Sequence, residues 1–193
     1  MPEWACPPYR HHAFIQLLML KLLPTSQTDL ALVVASESDD ETSPFIIPWT
    51  AERHLAALSD PDCVHLSLRD AQTDEWLGFV MLFGLCSPHR AIELRRIVCA
   101  RKGAGIGRAA VRKVVELAFK SLQAHRLWLD VKSTNARARH LYLSEGFREE
   151  GVLRECLLGK DGYESLVIMS MLSSEHKHTP TRLAATVWYA EKL

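Results

Sequence analysis

Arg101-Lys102-Gly103-Ala104-Gly105-Ile106-Gly107-Arg108 stands between an apolar run, Ala91 to Ala100, and an amphipathic stretch, Ile106 to Leu122. In that stretch Val111, Val114, Val115, Ala118 and Leu122 recur at three- and four-residue spacing, the period of a helix with one buried face. Alternate glycines remove Cβ atoms where backbone amides meet a ligand, and the helix that follows adds the positive end of its dipole. Strand, loop and helix together predict a phosphate site. The loop fits neither common nucleotide fingerprint. A Walker loop closes with Gly-Lys-Ser/Thr, whereas this one closes with Gly107-Arg108. A Rossmann loop wants an acidic residue at the tip of the next strand, roughly 20 residues on. Asp130 lies near that distance, but the motif that follows it points elsewhere.

Outward from the loop, the chain reads as alternating short elements. Upstream, Ile15 to Leu23 is a strand stopped by Pro24, and Thr25 to Ser36 is a weakly periodic helix. An acidic loop, 38–48, closes on Phe45, Ile46 and Ile47, and a helix capped by Thr50 runs to Leu58. Val64 to Arg69 and Trp76 to Leu85 are antiparallel strands around a polar turn, and Ala91 to Ala100 is a third, alternating imperfectly through Ile92, Leu94 and Val98. Downstream come a strand from Arg126 to Val131, a helix from Asn135 to Ser144 with Gly146 beyond its end, and a strand pair, Phe147 to Leu158 and Tyr163 to Leu172. Gly159-Lys160-Asp161-Gly162 supplies the hairpin turn of that pair. The order predicts a mixed sheet with helices on both faces. Residues 1–13 read as an arm, 14–173 as one domain, and 174–193 as a tail whose apolar run around Trp188 and Tyr189 is compatible with a homodimer.

Lys plus Arg and Asp plus Glu both number 23, so no global field draws the chain to nucleic acid or an anionic membrane. The charge is unevenly spread: ten acidic residues face two basic between Glu37 and Glu75, and thirteen basic face three acidic between Arg90 and Arg139. That suits either plain solvated surface or a molecule holding a polyanion on one side and a cationic acceptor on the other. Five scattered cysteines with no Cys-x-x-Cys pair argue against a disulfide scaffold or a zinc knuckle and fit a reducing compartment. Phe14 to Leu23 is too short to span a bilayer and follows no export signal, so a cytoplasmic protein is expected.

A second motif decides the family. Asn135-Ala136-Arg137-Ala138-Arg139-His140-Leu141-Tyr142-Leu143-Ser144-Glu145-Gly146-Phe147, together with Lys102-Gly103-Ala104-Gly105-Ile106-Gly107, resembles the GNAT superfamily of acyl-CoA-dependent N-acetyltransferases, in particular its RimJ/RimL-type branch. Lys102 stands where the family usually has Gln or Arg. The flanks Leu94 to Val98 and Trp128 to Val131 and the later Asp161-Gly162-Tyr163 agree, and the likeness covers about 75–173. It implies an α+β fold: a central, mostly antiparallel, V-splayed mixed sheet of six to seven strands flanked by helices.

The resemblance also implies a chemistry, transfer of the acetyl group of acetyl-CoA to a primary amine in a ternary complex. The cofactor's pyrophosphate is expected over Gly103, Ala104, Gly105, Ile106 and Gly107, with Arg101, Lys102 or Arg108 sharing its charge. Its pantetheine arm is expected in a splay between the strand ending near Cys99 and the strand at Leu129, along the backbone of Ile97, Val98 and Cys99. Asn135 either anchors that arm or caps its helix. Tyr142 is the expected general acid, unless it is only a packed aromatic. Glu93 is the expected base, unless it serves a salt bridge with Arg95; His89, His140 or a water chain are the alternatives. Trp49 and Phe45 are candidates for an acceptor wall, and Asp39, Asp40 and Glu41 for attracting an ammonium, unless they are simply exposed. The acceptor is a small-molecule amine or a protein N-terminus, with no metal, nucleic acid or membrane. The competing reading is a CoA-binding regulatory module of the same fold without transfer.

Overall fold

The computed structural model describes residues 20–176. The 1–13 arm, the start of the first strand and the apolar run around Trp188 lie outside the described residues. Seven strands form one sheet: β1 (Leu20–Pro24), β2 (Cys63–Asp70), β3 (Trp76–Phe83), β4 (Ala91–Cys99), β5 (Arg126–Lys132), β6 (Arg148–Gly159) and β7 (Gly162–Leu172). Their order is β1-β2-β3-β4-β5-β7-β6, and every neighbouring pair is antiparallel except β4 with β5. Pro24 ends an edge strand, where a missing N–H costs no ladder bond. The final hairpin folds back so that β7, not β6, lies beside β5.

Alternation along the strands divides the buried residues into two layers. On one face Leu66, Leu68, Val80, Leu82, Ile92, Leu94, Leu127 and Leu129 pack with Ile106, Ala110, Val111 and Val114 of α3 (Ile106–Glu116) and Tyr142 of α4 (Ala136–Ser144). On the other, Phe79, Met81 and Val98 pack with Val33 of α1 (Leu30–Glu37) and Ala57 of α2 (Ala51–Ala57). Burying one such aliphatic side chain contributes about 2 kcal/mol, so the two layers hold the sheet rigid between them.

Most expected elements form, with informative differences at their ends. A turn of 3₁₀ helix, Gln27–Asp29, precedes α1, because the Asp29 carboxylate accepts from Ser26 N–H at 3.1 Å and reshapes the start. The helix expected through Leu122 is α-helical only to Glu116 and then widens into a π turn, Leu117–Ser121, closed by Leu122 N–H to the Leu117 carbonyl at 2.9 Å. The polar stretch after β7 opens with one short turn, α5 (Ser173–His176).

The imperfect alternation of β4 has a cause. Met81 pairs with Arg96 and the next residue, Leu82, pairs with Leu94, so Arg95 is an extra residue bulged from the ladder.

Candidate functional site

The bulge and the parting of two strands occur together. β4 and β5 pair only at Ala91 with Arg126, Ile92 with Leu127 and Glu93 with Trp128. Beyond that, β4 runs on to Cys99 against β3, and β5 runs on to Lys132 against β7. A V-shaped slot opens between them. On its β4 side lie Ile97, Val98 and Cys99, whose other edge is fixed by Val80, Phe79 and Gly78.

The glycine loop closes the narrow end of helix α3. Gly105 is the residue before the helix, at φ +78°, and no side chain caps the helix's first amides. Gly103 sits at φ +79°, and a Cβ built on either glycine would meet nothing within 4 Å. Uncapped N–H groups, the helix dipole and open space above two left-handed residues suit a diphosphate. Gly107 faces inward: a Cβ there would sit 3.5 Å from Leu141 Cδ2 and 3.8 Å from Cys99 Sγ. The three cations of the loop have partners within the protein. Arg101 pairs with Glu75 at 2.6 Å, Lys102 donates to Thr42 Oγ1 at 2.6 Å, and Arg108 bonds Ser144 at 3.0 Å and pairs with Glu145.

Tyr142 and Glu93 lie on opposite faces of the sheet. Tyr142 comes from α4, buried, with its ring 5.6 Å from that of Phe147. Burial, with smaller effects of Cys99 and Asp130, pushes its phenol above the ordinary value, so it keeps its proton at neutral pH. Glu93 is buried on the α1/α2 face, beside its β3 partner Phe83. Burial raises its carboxyl above the usual range, and Asp130 raises it further, against the Arg95 guanidinium 2.7 Å away. Asp130 itself is an exposed carboxylate on the same face, two residues past Trp128, the partner of Glu93. In the sequence Asp130 stands out only as an acidic residue near a Rossmann position and as part of the Trp128 to Val131 flank, with no local signal of a place beside Glu93.

Cys99 stands at the slot, where burial pushes its thiol up to about 11 despite Lys102 and Arg137. It is a thiol at neutral pH, not a nucleophilic thiolate. Asn135 caps α4, its Oδ1 accepting from Ala138 N–H at 3.1 Å. His89 and His140 are both exposed.

The acidic loop spans both arms of the V. Lys102, just past β4, reaches Thr42; Arg96 on β4 donates to the Ile47 carbonyl at 2.5 Å; Lys132, at the end of β5, donates to the Pro44 carbonyl at 2.9 Å. Three cations, from β4, the loop after it and the end of β5, thus staple residues 42–47 across the mouth. Asp39, Asp40 and Glu41 are exposed, and Asp39 accepts from Glu41 N–H and the Thr42 hydroxyl within its own turn. Phe45 is exposed, whereas Trp49 is half-buried with its ring 6.2 Å from Phe83.

A glycine cradle at a helix start, a slot between parting parallel strands and a buried phenol near Cys99 fit an acyl-CoA-dependent acyltransferase architecture. The sequence profile of the acetyltransferase (GNAT) family, whose acyl donor is acetyl-CoA, matches residues 30–147. The chain belongs to that family. It is 31% identical over 110 residues to a spermidine N(1)-acetyltransferase of Vibrio cholerae, a match covering 56% of this chain and 63% of that protein. The chain therefore spans less than two thirds of that relative. A spermidine N(1)-acetyltransferase of Escherichia coli K12 is 23% identical over 171 residues, 82% of this chain and 90% of its own. Among solved structures, a Vibrio cholerae spermidine N-acetyltransferase in complex with CoA and spermine superposes with a TM-score of 0.75 at 24% identity, covering 83% of this chain and 99% of that one. These relatives are spermidine enzymes, so the superfamily expected from sequence stands while the RimJ/RimL-type branch receives no specific support from them. Among the described residues no helix is long and apolar enough to cross a membrane.

Proposed function

We propose that this protein acetylates a small primary amine, with a polyamine as the first candidate, by direct transfer through the slot between β4 and β5. The observation that carries this reading is the placement of a protonated phenol and two carboxylates on opposite faces of one opening in the sheet. Held by the amides of 103–107 and the free edge of β4, acetyl-CoA supplies a thioester carbonyl open to amine attack and a thiolate that departs. Glu93, assisted by Asp130, takes a proton from the incoming ammonium on the α1/α2 face. Backbone N–H groups of Ile97 and Cys99 are the donors available to a carbonyl lying along β4, because the alternate amides, Val98 among them, turn toward β3. Tyr142 gives its proton to the departing sulfur from the other face. Burial that keeps Cys99 a thiol leaves no ready thiolate at the slot, which favours direct attack in a ternary complex.

The stapled loop favours a slender acceptor over a folded protein surface, because residues 42–47 bridge the mouth. The relatives named above act on spermidine, and an ammonium suits the pair of carboxylates beside the slot. Self-association is part of the reading: β6 is an open sheet edge with Val152, Leu153 and Leu158 exposed, and the Vibrio cholerae enzyme has also been solved as a dodecamer (TM-score 0.71, 24% identity, 83% of this chain and 97% of that one).

Calorimetry with acetyl-CoA, followed by thiol release in the presence of spermidine, spermine and N-terminal peptides, tests the proposal. Uptake of acetyl-CoA with thiol release stimulated by the polyamines supports it. Stimulation by peptides alone overturns the acceptor; uptake with no release under any amine makes the chain a binding module; no uptake overturns the whole reading.

A further inference from the structure

Behind the mouth of the slot lies a buried polar cluster that the transfer chemistry does not use. Glu37, the last residue of α1, is completely buried. One of its oxygens accepts the backbone N–H of Trp49 at 2.6 Å, and the other lies 3.2 Å from Arg96 Nε. Arg96 is also buried, and its Nη2 donates to the Ile47 carbonyl at 2.5 Å. The ion pair therefore grips the three-residue span Ile47 to Trp49 by one backbone donor and one backbone acceptor. His54 of α2, fully buried, closes the third side with Nε2 3.5 Å from Glu37 Oε2 and Nδ1 3.1 Å from His65 Nε2. The row continues from His65 Nδ1 to the Thr25 hydroxyl at 2.9 Å, to Ser67 at 3.1 Å, and to Asp29 at 3.1 Å, which Arg69 meets at 2.6 Å.

A buried ion pair is poor evidence of stabilisation, since well-packed apolar residues of the same volume commonly do as well. What charges and directed hydrogen bonds add here is a fixed position for a loop. That loop carries Trp49, whose indole lies edge-on to Phe83 at 6.2 Å with the Arg53 guanidinium 3.8 Å over its ring. Phe83 is the β3 partner of Glu93. One rigid path thus runs from the buried pair through Trp49 and Phe83 to the carboxylate beside the slot.

We propose that Glu37 and Arg96 are positioning residues for the acceptor: they hold Ile47 to Trp49 so that the indole and Phe83 form a preset wall next to Glu93. This rests on the acetyl-transfer reading and deepens it. Neither residue touches the reacting atoms; each acts through the backbone it holds. A neutral amide at position 37 keeps the volume and can still accept from Trp49 N–H, but more weakly and without the charge that pairs with Arg96. Lysine at position 96 keeps the charge but loses the planar fork that serves Glu37 and Ile47 together.

The test pairs a measurement on the protein alone with one on catalysis. In Glu37→Gln the Trp49 amide, followed by NMR hydrogen exchange without substrate, exchanges at least about tenfold faster, since its acceptor is weakened. The acceptor KM rises roughly tenfold, while kcat and the acetyl-CoA KM stay within about twofold, the pattern of lost uniform binding. Arg96→Lys shows the same split at about a third of the size and serves if Glu37→Gln does not fold. Unchanged Trp49 exchange in both variants overturns the proposal. So does faster exchange with an unmoved acceptor KM, or an equal rise of both substrates' KM values. If wild-type protein takes up no acetyl-CoA, the transfer reading fails and the wall loses its role, even where exchange confirms the clamp.

Discussion

Removing one oxygen from Tyr142 separates two roles that its sequence position leaves open. The ring packs on Phe147, and the phenol, held protonated by burial, lies within electrostatic reach of Cys99 and Asp130. Tyr142→Phe keeps the packing and removes the proton donor. Turnover is expected to fall by roughly ten- to ten-thousand-fold with acetyl-CoA affinity unchanged by calorimetry; unchanged turnover with a good amine would leave Tyr142 as packing only. Glu93 makes a pH-dependent case. A base works when deprotonated, and burial raises this carboxyl. The acid limb of kcat/KM is therefore expected above the ordinary carboxylate range, with the rate falling as pH drops through it. Glu93→Gln is expected to slow transfer roughly a hundredfold or more and to erase that limb. A persisting limb would move the role to Asp130, which shares the face and raises Glu93 through its charge.

The loop and its helix put the glycines to unequal use. Gly105 has the left-handed backbone that an L-residue adopts at a cost of about 1 kcal/mol, and its Cβ would enter open space above the uncapped amides. Gly105→Ala is expected to weaken acetyl-CoA binding and lower the melting temperature. Gly107→Ala places its methyl at ordinary contact distance from Leu141 and Cys99 inside a helix, where Ala is favoured over Gly by up to about 1 kcal/mol. Its expected result is unchanged binding and an equal or higher melting temperature; equal losses in both variants would refute the distinction. This loop was legible in sequence because it is local: glycine spacing, the valine periodicity of α3 and the Asn135 cap are all set within a few residues. The Arg95 bulge left only a trace, the broken alternation of β4. Placing β7 between β5 and β6 left none, since hairpin signals do not say which strand turns inward. Nor did the clamp, whose Glu37 and Arg96 lie far apart in sequence and read singly as surface charges.

Taken over the whole molecule, the buried polar row ties the first helices to the sheet and gives stability a pH dependence. His65 sits among His54, Thr25 and Phe79, whose ring stacks at 5.3 Å, with Glu37 and Asp29 further along. Burial, then the neighbouring His54, lowers its pKa from 6.5 to about 4, outweighing the two carboxylates. A histidine whose folded-state pKa is depressed binds its proton more readily when the chain is unfolded. Its contribution is complete above about pH 6.5 and is lost as pH falls toward 4, on the order of 3 kcal/mol in all. Asp29 acts in the same sense at lower pH: burial opposes its charge, but hydrogen bonds from Ser26 and Ser67 and the charge of Arg69 prevail and lower its pKa. Its stabilisation is lost as pH falls through that lowered value. Glu93, raised by burial, works the other way, its protonated form favouring the folded state as the pH drops. The histidine's shift is the larger of the two, so His65 sets the net slope between pH 6.5 and 4. Urea unfolding of the wild type is therefore expected to show a midpoint that falls steadily across this interval. His65→Gln, which keeps a polar side chain but cannot titrate, is expected to start from a lower midpoint and to flatten the fall. An identical slope in the variant would show that acid sensitivity enters the fold elsewhere than through this row.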